Sequence, residues 1–430
     1  MLARLDVRDA RADLAQRLGI GPQTSGEDPA VAASVAEIVG DVRRRGDAAV
    51  REYTERFDGP ALDSFRVTED ECLAAVQATP AEVRDALELA ADRINEYHKE
   101  QVAVPPTTFS AAGVSVTESI RPVDRAGLYV PGGRAAYPST VLMTSIPARV
   151  AGVPERVLCV PPDAQGRVPA VTLAAAFLTG VTEIYRVGGA QAIAAMAFGT
   201  ESIPAVDVIV GPGNAYVDGA KRLVAGMGIV GIDGPAGPSE LVVIADETAD
   251  PIQVALDVAA QAEHGPGGTA YVVAWNATVL DNVLDAILGY LASAPRAEEI
   301  QSTLGTGGHA VLVRDAEQAI AVANLVAPEH LELLVENAND VVASIRHAGA
   351  VFIDAPTALG DYVAGANHVL PTGRAARFAS ALRVDDFRTH MHVVRATPAG
   401  LDAIGPAAVV LARAEGLEAH AASVERRIRG

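Results

Sequence analysis

From residue 127 to residue 353, short and mostly β-branched apolar runs alternate with alanine-rich stretches long enough to be helices. The runs fall at 127–130, 157–160, 183–187, 207–210, 240–245, 269–274, 310–313 and 350–353. Such alternation builds βαβ units, because parallel neighbours need a crossover and the crossover helices cover both faces of the sheet. The strands are too many for one compact sheet, so two α/β domains are expected. The first hundred residues read mainly as helix. Val31, Val35, Ile38 and Val42 recur at helical spacing, and Val50, Tyr53 and Phe57 continue the stripe after Gly46-Asp47. Thr79-Pro80-Ala81-Glu82 supplies a capping hydroxyl, a proline at the first helical position and a carboxylate three residues on, which predicts a long helix toward Gln101. The last fifty residues return to helix, and Arg426, Arg427 and Arg429 suit a helix C-terminus.

Charge narrows the partners. Lys plus Arg total 34 against 54 for Asp plus Glu, a formal net charge of −20, so no nucleic-acid backbone is an expected partner. Two cysteines, Cys72 and Cys159, exclude a disulfide framework and suit a reducing compartment. Charges at Asp9, Arg11 and Asp13 interrupt any signal-like apolar segment, and no uncharged apolar run reaches the ~18 residues of a membrane span. The expectation is a cytoplasmic enzyme.

Three strand-to-helix turns are rich in glycine: Tyr129-Val130-Pro131-Gly132-Gly133, Val187-Gly188-Gly189-Ala190-Gln191 and Val210-Gly211-Pro212-Gly213-Asn214. Glycine lets backbone N–H groups approach a phosphate, and a following helix N-terminus favours its charge; the bland alternative is that each glycine merely turns the chain. Asn214 is a good N-cap for a helix from Ala215. Asp250-Pro251 opens a second helix that runs to Glu263 or His264, with Gln261 and His264 on one face of its last turn, either a pair of ligands or a polar helix end. Gly360-Asp361-Tyr362 and Asn367-His368 fall in a loop region after a strand, where α/β proteins place their sites. Ala327-Pro328-Glu329-His330 reads as a helix start, with a dipole that favours the Glu329 anion and a neutral His330. Glu415-Gly416 ends one helix and His420 opens the next. Histidine, carboxylate and amide oxygen together suit Zn²⁺, although spacing alone does not assemble them. Cys159 lies inside an apolar run, which favours a buried inert thiol over a covalent nucleophile.

Nine segments in order make the chain similar to the histidinol dehydrogenase family. They are Leu128-Tyr129-Val130-Pro131-Gly132-Gly133, Gly188-Gly189-Ala190-Gln191, Gly211-Pro212-Gly213-Asn214-Ala215-Tyr216, Pro235-Ala236-Gly237-Pro238-Ser239-Glu240, Gln261-Ala262-Glu263-His264, Pro328-Glu329-His330, Gly360-Asp361-Tyr362, Asn367-His368-Val369-Leu370-Pro371-Thr372-Gly373 and Glu415-Gly416-Leu417-Glu418-Ala419-His420. The resemblance implies two incomplete Rossmann-like α/β domains in an intertwined homodimer. Its expected division is a helical arm over 1–25, a first domain over 26–131 with 239–383, a second over 132–238 carrying the NAD turns, and a swapped helical tail over 384–430. It implies Zn²⁺ on Gln261, His264, Asp361 and His420, the last from the partner chain, with Glu329 and His330 as the catalytic pair. Ser239, His368 and Glu415 are implied to contact L-histidinol beside those residues, and Tyr129, Gln191 and Asn214 to line the NAD site. The implied reaction is a four-electron oxidation of L-histidinol through the aldehyde to L-histidine with two NAD⁺, the last steps of histidine biosynthesis. The departures are Gly234, where methionine is expected, and Arg374 and Ala381, where glycine is expected.

Three rivals accompany this reading: a related zinc- and NAD-dependent dehydrogenase of another small polar alcohol, a silent nucleotide-binding scaffold, and a metal-dependent hydrolase. The first has no reason to keep His368, Glu415 and His420, and the second none to keep Glu329 and His330. The third leaves the glycine turns idle.

Overall fold

The computed structural model describes residues 2–20, 28–59, 61–103, 105–133, 135–234, 237–265 and 267–428. Pro235, Ala236, Pro266 and Arg429, together with residues 21–25 of the expected arm, lie outside them. All eight apolar runs are strands, and they divide between two parallel sheets. One sheet has five strands in the order Glu183–Tyr185, Glu155–Cys159, Arg125–Tyr129, Val208–Val210, Gly231–Ile232. Gly127 at its centre stands opposite Val157 on one side and Ile209 on the other. The second sheet has six strands in the order Ala3–Asp6, Gly308–Leu312, Thr269–Ala274, Glu240–Ala245, His330–Leu334, Ala350–Ile353. There Leu241 is paired with both Ala270 and His330.

Because successive strand residues point to opposite faces, each sheet is clad on both sides. Leu128, Leu158 and Val210 face one core of the five-stranded sheet, while Val157, Cys159 and Ile209 face the other. Each fully buried Val or Leu contributes ~1.5–3 kcal/mol, so a strand buried on both faces is strongly held.

The helices between Pro29 and Val102 pack on the five-stranded sheet, whereas the short helix Leu14–Arg17 belongs to the six-stranded one, Leu14 sharing a core with Val242 and Val311. Val35, Ile38, Val39 and Val42 of Pro29–Arg45 share a core with Ala192, Ile193 and Val217, and Leu87 and Ile94 of Ala81–Val102 share one with Leu128 and Leu142. With Arg125–Tyr129 at the centre of that sheet, the expected assignment of 26–131 to the other domain differs from the observed packing. The stripe expected across Gly46-Asp47 is two helices, Pro29–Arg45 and Asp47–Asp58, broken where Gly46 takes φ 55. Helix Ala81–Val102 begins where expected, but Pro80 is its N-cap and the Thr79 hydroxyl donates backward to Ala75 O at 2.8 Å. Proline has no N–H to offer, and Thr79 is already closing the preceding helix.

Both termini also carry strands. Ala3–Asp6 joins the edge of the six-stranded sheet beside Gly308–Leu312, so the N-terminal arm is not simply helical. Its flanking Leu2 and Val7 are buried, and the strand covers an edge that would otherwise expose unpaired backbone. In the C-terminal tail Arg388–Ala396 pairs antiparallel with Val114–Pro122, which also pairs with Thr108–Ala111. Helices Pro398–Ala414 and Glu418–Ile428 follow and pack on each other. No helix among the described residues is long and apolar enough to cross a membrane.

Candidate functional site

A crevice opens between the carboxyl edge of the five-stranded sheet and the amino edge of the six-stranded one. Gly211, Pro212 and Gly213 line it from the first, Glu329 and His368 from the second.

On the first side the backbone is the main actor. Strand Val208–Val210 runs into Gly211, and Asn214 then caps helix Ala215–Gly226, its Oδ1 accepting from the N–H groups of Tyr216 at 3.0 Å and Val217 at 3.2 Å. Tyr129 ends strand Arg125–Tyr129, and its hydroxyl accepts from Gly189 N–H at 3.1 Å, tying it to the start of helix Gly189–Phe198. Gln191 in that helix is 1 % exposed, and both ends of its amide lack a partner among the described residues. A buried amide with nothing to bind is costly unless a ligand completes it. The third glycine turn differs from expectation: no helix follows Gly132-Gly133 directly, the next beginning at Pro138. Cys159 is fully buried and burial pushes its thiol far up, the inert thiol expected.

Side chains from distant segments form the second side. Helix Ala316–Val326 ends at Ala327, which takes φ 50, and strand His330–Leu334 begins three residues later. The expected helix start at Pro328 is therefore a helix-to-strand junction. Leu331, Leu333 and Leu334 belong to a buried central strand, and proline after a helix end is the usual stop. Without a helix dipole, the His330 ring answers to carboxylates. Nδ1 lies 3.6 Å from Glu329 Oε2 and Nε2 lies 3.6 Å from Asp361 Oδ1. Burial disfavours its charge, yet Asp361 and Glu329 outweigh burial and raise its pKa, opposite to the sequence expectation. Glu329 Oε2 in turn accepts from Ser239 Oγ and from Glu240 N–H at 3.1 Å.

Gln261 closes helix Pro251–Ala262, which Asp250 caps as expected by accepting from Ile252 N–H. The helix stops at Ala262, one or two residues short of the expected end, so His264 lies just beyond it and is exposed. The Gln261 amide is buried, with Oε1 3.4 Å from Ser239 Oγ and Nε2 without a partner among the described residues. Asp361 sits on helix Thr357–Tyr362. Burial alone would raise its carboxyl, but His330, His368 and His264 together hold it below the usual range. His368 Nδ1 donates to Asp361 O at 2.9 Å, leaving Nε2 to accept from Thr140 Oγ1 at 3.1 Å, and burial lowers its pKa. Gln261, His264 and Asp361 thus offer one amide, one imidazole and one carboxylate in one neighbourhood, a donor set that fits Zn²⁺ with one position to fill.

Glu415 and His420 are not brought there. Both are exposed, at the C-cap of Pro398–Ala414 and in the first turn of Glu418–Ile428, and neither lines the crevice. Among the described residues no set of three or more His, Cys, Asp and Glu side chains within this chain is placed to hold a metal.

Three residues here had no role assigned to them from the sequence. Glu240, beside Glu329, is pushed up to about 7 by burial and then by that neighbouring charge. Phe352 lies against the His330 ring at 5.8 Å between centroids. Arg374, at an expected glycine, takes φ 65 and its guanidinium donates to Leu325 O at 3.1 Å. Glu240 ends one of the segments that carry the resemblance and Arg374 is one of the departures from it, but the contacts of all three arise only in the tertiary structure.

The profile of the histidinol dehydrogenase family matches residues 22–428. The histidinol dehydrogenase of Parasynechococcus marenigrum is 49% identical over 425 residues, covering 98% of this chain and 96% of that one. That of Methylococcus capsulatus is 49% identical over 408 residues, covering 94% and 93%. The crystal structure of histidinol dehydrogenase from Elizabethkingia anophelis superposes with a TM-score of 0.89 at 36% identity, covering 95% of this chain and 97% of that one.

Proposed function

Because the chain belongs to the histidinol dehydrogenase family, we propose that the crevice oxidises L-histidinol through L-histidinal to L-histidine, reducing two NAD⁺. One observation carries the reading. The Gly211-Pro212-Gly213 turn, which leads into the Asn214 cap at the end of one sheet, faces Glu329 and His368 at the end of the other across a single crevice. Tyr129, Gln191 and Asn214 hold the dinucleotide, which supplies the hydride acceptor. Gln261, His264 and Asp361 hold Zn²⁺ with His420 of the partner subunit, and the metal supplies orientation of a substrate that bears an amine and an imidazole.

The remaining steps fall to side chains. His330 takes the alcohol proton as the first hydride leaves. Glu329, held as an acceptor by Ser239 and Glu240, removes a proton from the water that adds to the aldehyde, and the second hydride then leaves. Ser239 and His368, with Glu415 of the partner subunit, bind and orient the alcohol. No thiol is needed, in accord with the buried Cys159.

The homodimer follows from the same reading. The tail that bears Glu415 and His420 exposes Met391, Val394, Ile404, Val410, Leu411 and Leu417, an apolar surface suited to a second copy. The setting is cytoplasmic. The test is the yield of NADH from limiting L-histidinol with excess NAD⁺ and added Zn²⁺. Two per alcohol is expected. One would remove Glu329 from the second step, and none from folded, metal-loaded protein would overturn the reading.

A further inference from the structure

The chain contains only two lysines, Lys99 and Lys221; every other basic position is arginine. Lys99 is exposed on helix Ala81–Val102. Lys221 is 1 % exposed, on the helix Ala215–Gly226 that follows the Gly211-Pro212-Gly213-Asn214 turn. Its ammonium donates to Gly211 O at 2.9 Å and pairs with Asp233 Oδ1. The other oxygen of Asp233 accepts from Gly211 N–H at 2.7 Å. One buried ion pair therefore holds both polar groups of Gly211, from the helix after the turn and from the segment after strand Gly231–Ile232. Gly211 has no slack on its other flank. It takes φ +121, and a Cβ there would stand 2.0 Å from Tyr129 O.

We infer that Lys221, seated on Asp233, is a positioning residue that fixes the Gly211–Asn214 turn for the dinucleotide, and that the position demands a lysine. This rests on the reading of that turn as the NAD site. A buried ion pair is a poor device for stability alone, since apolar residues of similar volume do as well. What apolar residues cannot do is aim a peptide group. An ammonium is a compact donor that fits between one carbonyl and one carboxylate, whereas a guanidinium is a planar fork that needs more room. In a chain that otherwise uses arginine, the lysine here answers the shape of its seat. The turn is then delivered already ordered, so binding does not have to order it.

The test compares the zinc-loaded, full-length enzyme with Lys221→Arg and with Lys221→Met/Asp233→Asn. The first keeps the charge and changes the shape. The second removes both charges while the asparagine Oδ1 still accepts from Gly211 N–H. NAD⁺ affinity is measured by calorimetry without substrate, and steady-state constants are measured for both substrates. In both variants Kd and KM for NAD⁺ should rise about ten- to a hundredfold. The KM for L-histidinol, kcat at saturating NAD⁺ and zinc content should stay within about twofold. Parental NAD⁺ affinity in folded variants would overturn the inference, as would an equal loss in every constant. Failure of both variants to fold would assign the pair to stability and overturn it too. A parent that binds NAD⁺ but makes no NADH from L-histidinol would instead overturn the proposed substrate, leaving the affinity comparison intact.

Discussion

The two walls of the crevice are built from the same kind of sheet used in opposite directions. On the five-stranded side the wall is the carboxyl edge, where turns lead into the helices Gly189–Phe198 and Ala215–Gly226 and backbone groups do the holding. On the six-stranded side it is the amino edge, where Ser239 and Glu240 precede or begin one strand and Glu329 and His330 the next. Among the described residues no helix N-terminus serves that wall. Its polarity comes from side chains: Glu329, His330, Asp361, Gln261 and His368, joined by short contacts across four segments. A backbone-built wall suits a cofactor held the same way each time. A side-chain wall suits chemistry, because protons move between titratable groups.

The contrast is broken most sharply at Glu329. Glu329→Gln keeps an oxygen to accept from Ser239 and Glu240 but no longer takes a proton. Oxidation of histidinal should fall by about 10²–10⁴-fold while that of histidinol changes far less, as read from stopped-flow rates with each substrate. An equal loss of both would sink the division of labour between Glu329 and His330.

Next in size is a test of the wall's missing ligand. Asp361→Ala and His420→Ala should each lose bound zinc and activity. If His420 serves the partner's crevice, dissociating and reassociating an equal mixture should restore about a quarter of the parental sites, since half the dimers then carry one intact set. Zinc analysis and activity on the mixture decide it, and no recovery would place His420 elsewhere.

The backbone wall should break at a methyl group. Gly211→Ala puts a Cβ 2.0 Å from Tyr129 O at φ +121, so a loss of about 1–3 kcal/mol or more is expected. Gly373 on the opposite side has φ +60 and open space around a Cβ. Gly373→Ala should cost only the left-handed conformation, about 1–2 kcal/mol. Denaturant unfolding of the two variants compares them, and equal losses would mean that close approach plays no part at Gly211.

A last comparison separates the two halves by pH. His98, buried beneath the five-stranded sheet, has its pKa lowered chiefly by burial, and Nδ1 donates to Ile94 O at 2.7 Å. Below about pH 6.5 the unfolded chain protonates this group more readily, so its contribution to stability falls as pH falls. Glu332, on the six-stranded side, is raised to about 9 by burial and by Asp257. Its folded state prefers the neutral acid, so its contribution falls as pH rises from about 4.5 toward that value, with a slope of at most ~1.4 kcal/mol per pH unit. Stability curves should therefore flatten on the alkaline side in Glu332→Gln. An unchanged curve would show that this carboxyl does not govern the alkaline loss.

Much of the backbone wall was legible in the chain. Apolar runs bounded by glycine mark strands buried on both faces, and Asn214 and Asp250 cap where their side chains say they should. The side-chain wall was less so. Pro328-Glu329-His330 has the local form of a helix start, and only pairing of His330 with Leu241 and Ala350 reveals a strand. The same applies to Ala3–Asp6, whose four residues become a strand only beside Gly308–Leu312. Helices before residue 103 show an apolar stripe but not which sheet it will cover.

The sequence by itself determined what depends on neighbours along the chain: the strand–helix alternation, the caps, the glycine turns and the family. Tertiary structure decided what depends on distance through space. It set the allocation of helices to sheets, the charge environment of His330, the seating of Lys221 on Asp233, and the separation of Glu415 and His420 from the crevice. The reason is range. Propensity and capping act within a turn or two of helix, whereas a site at the meeting of two sheet edges is made of contacts between residues tens to hundreds of positions apart.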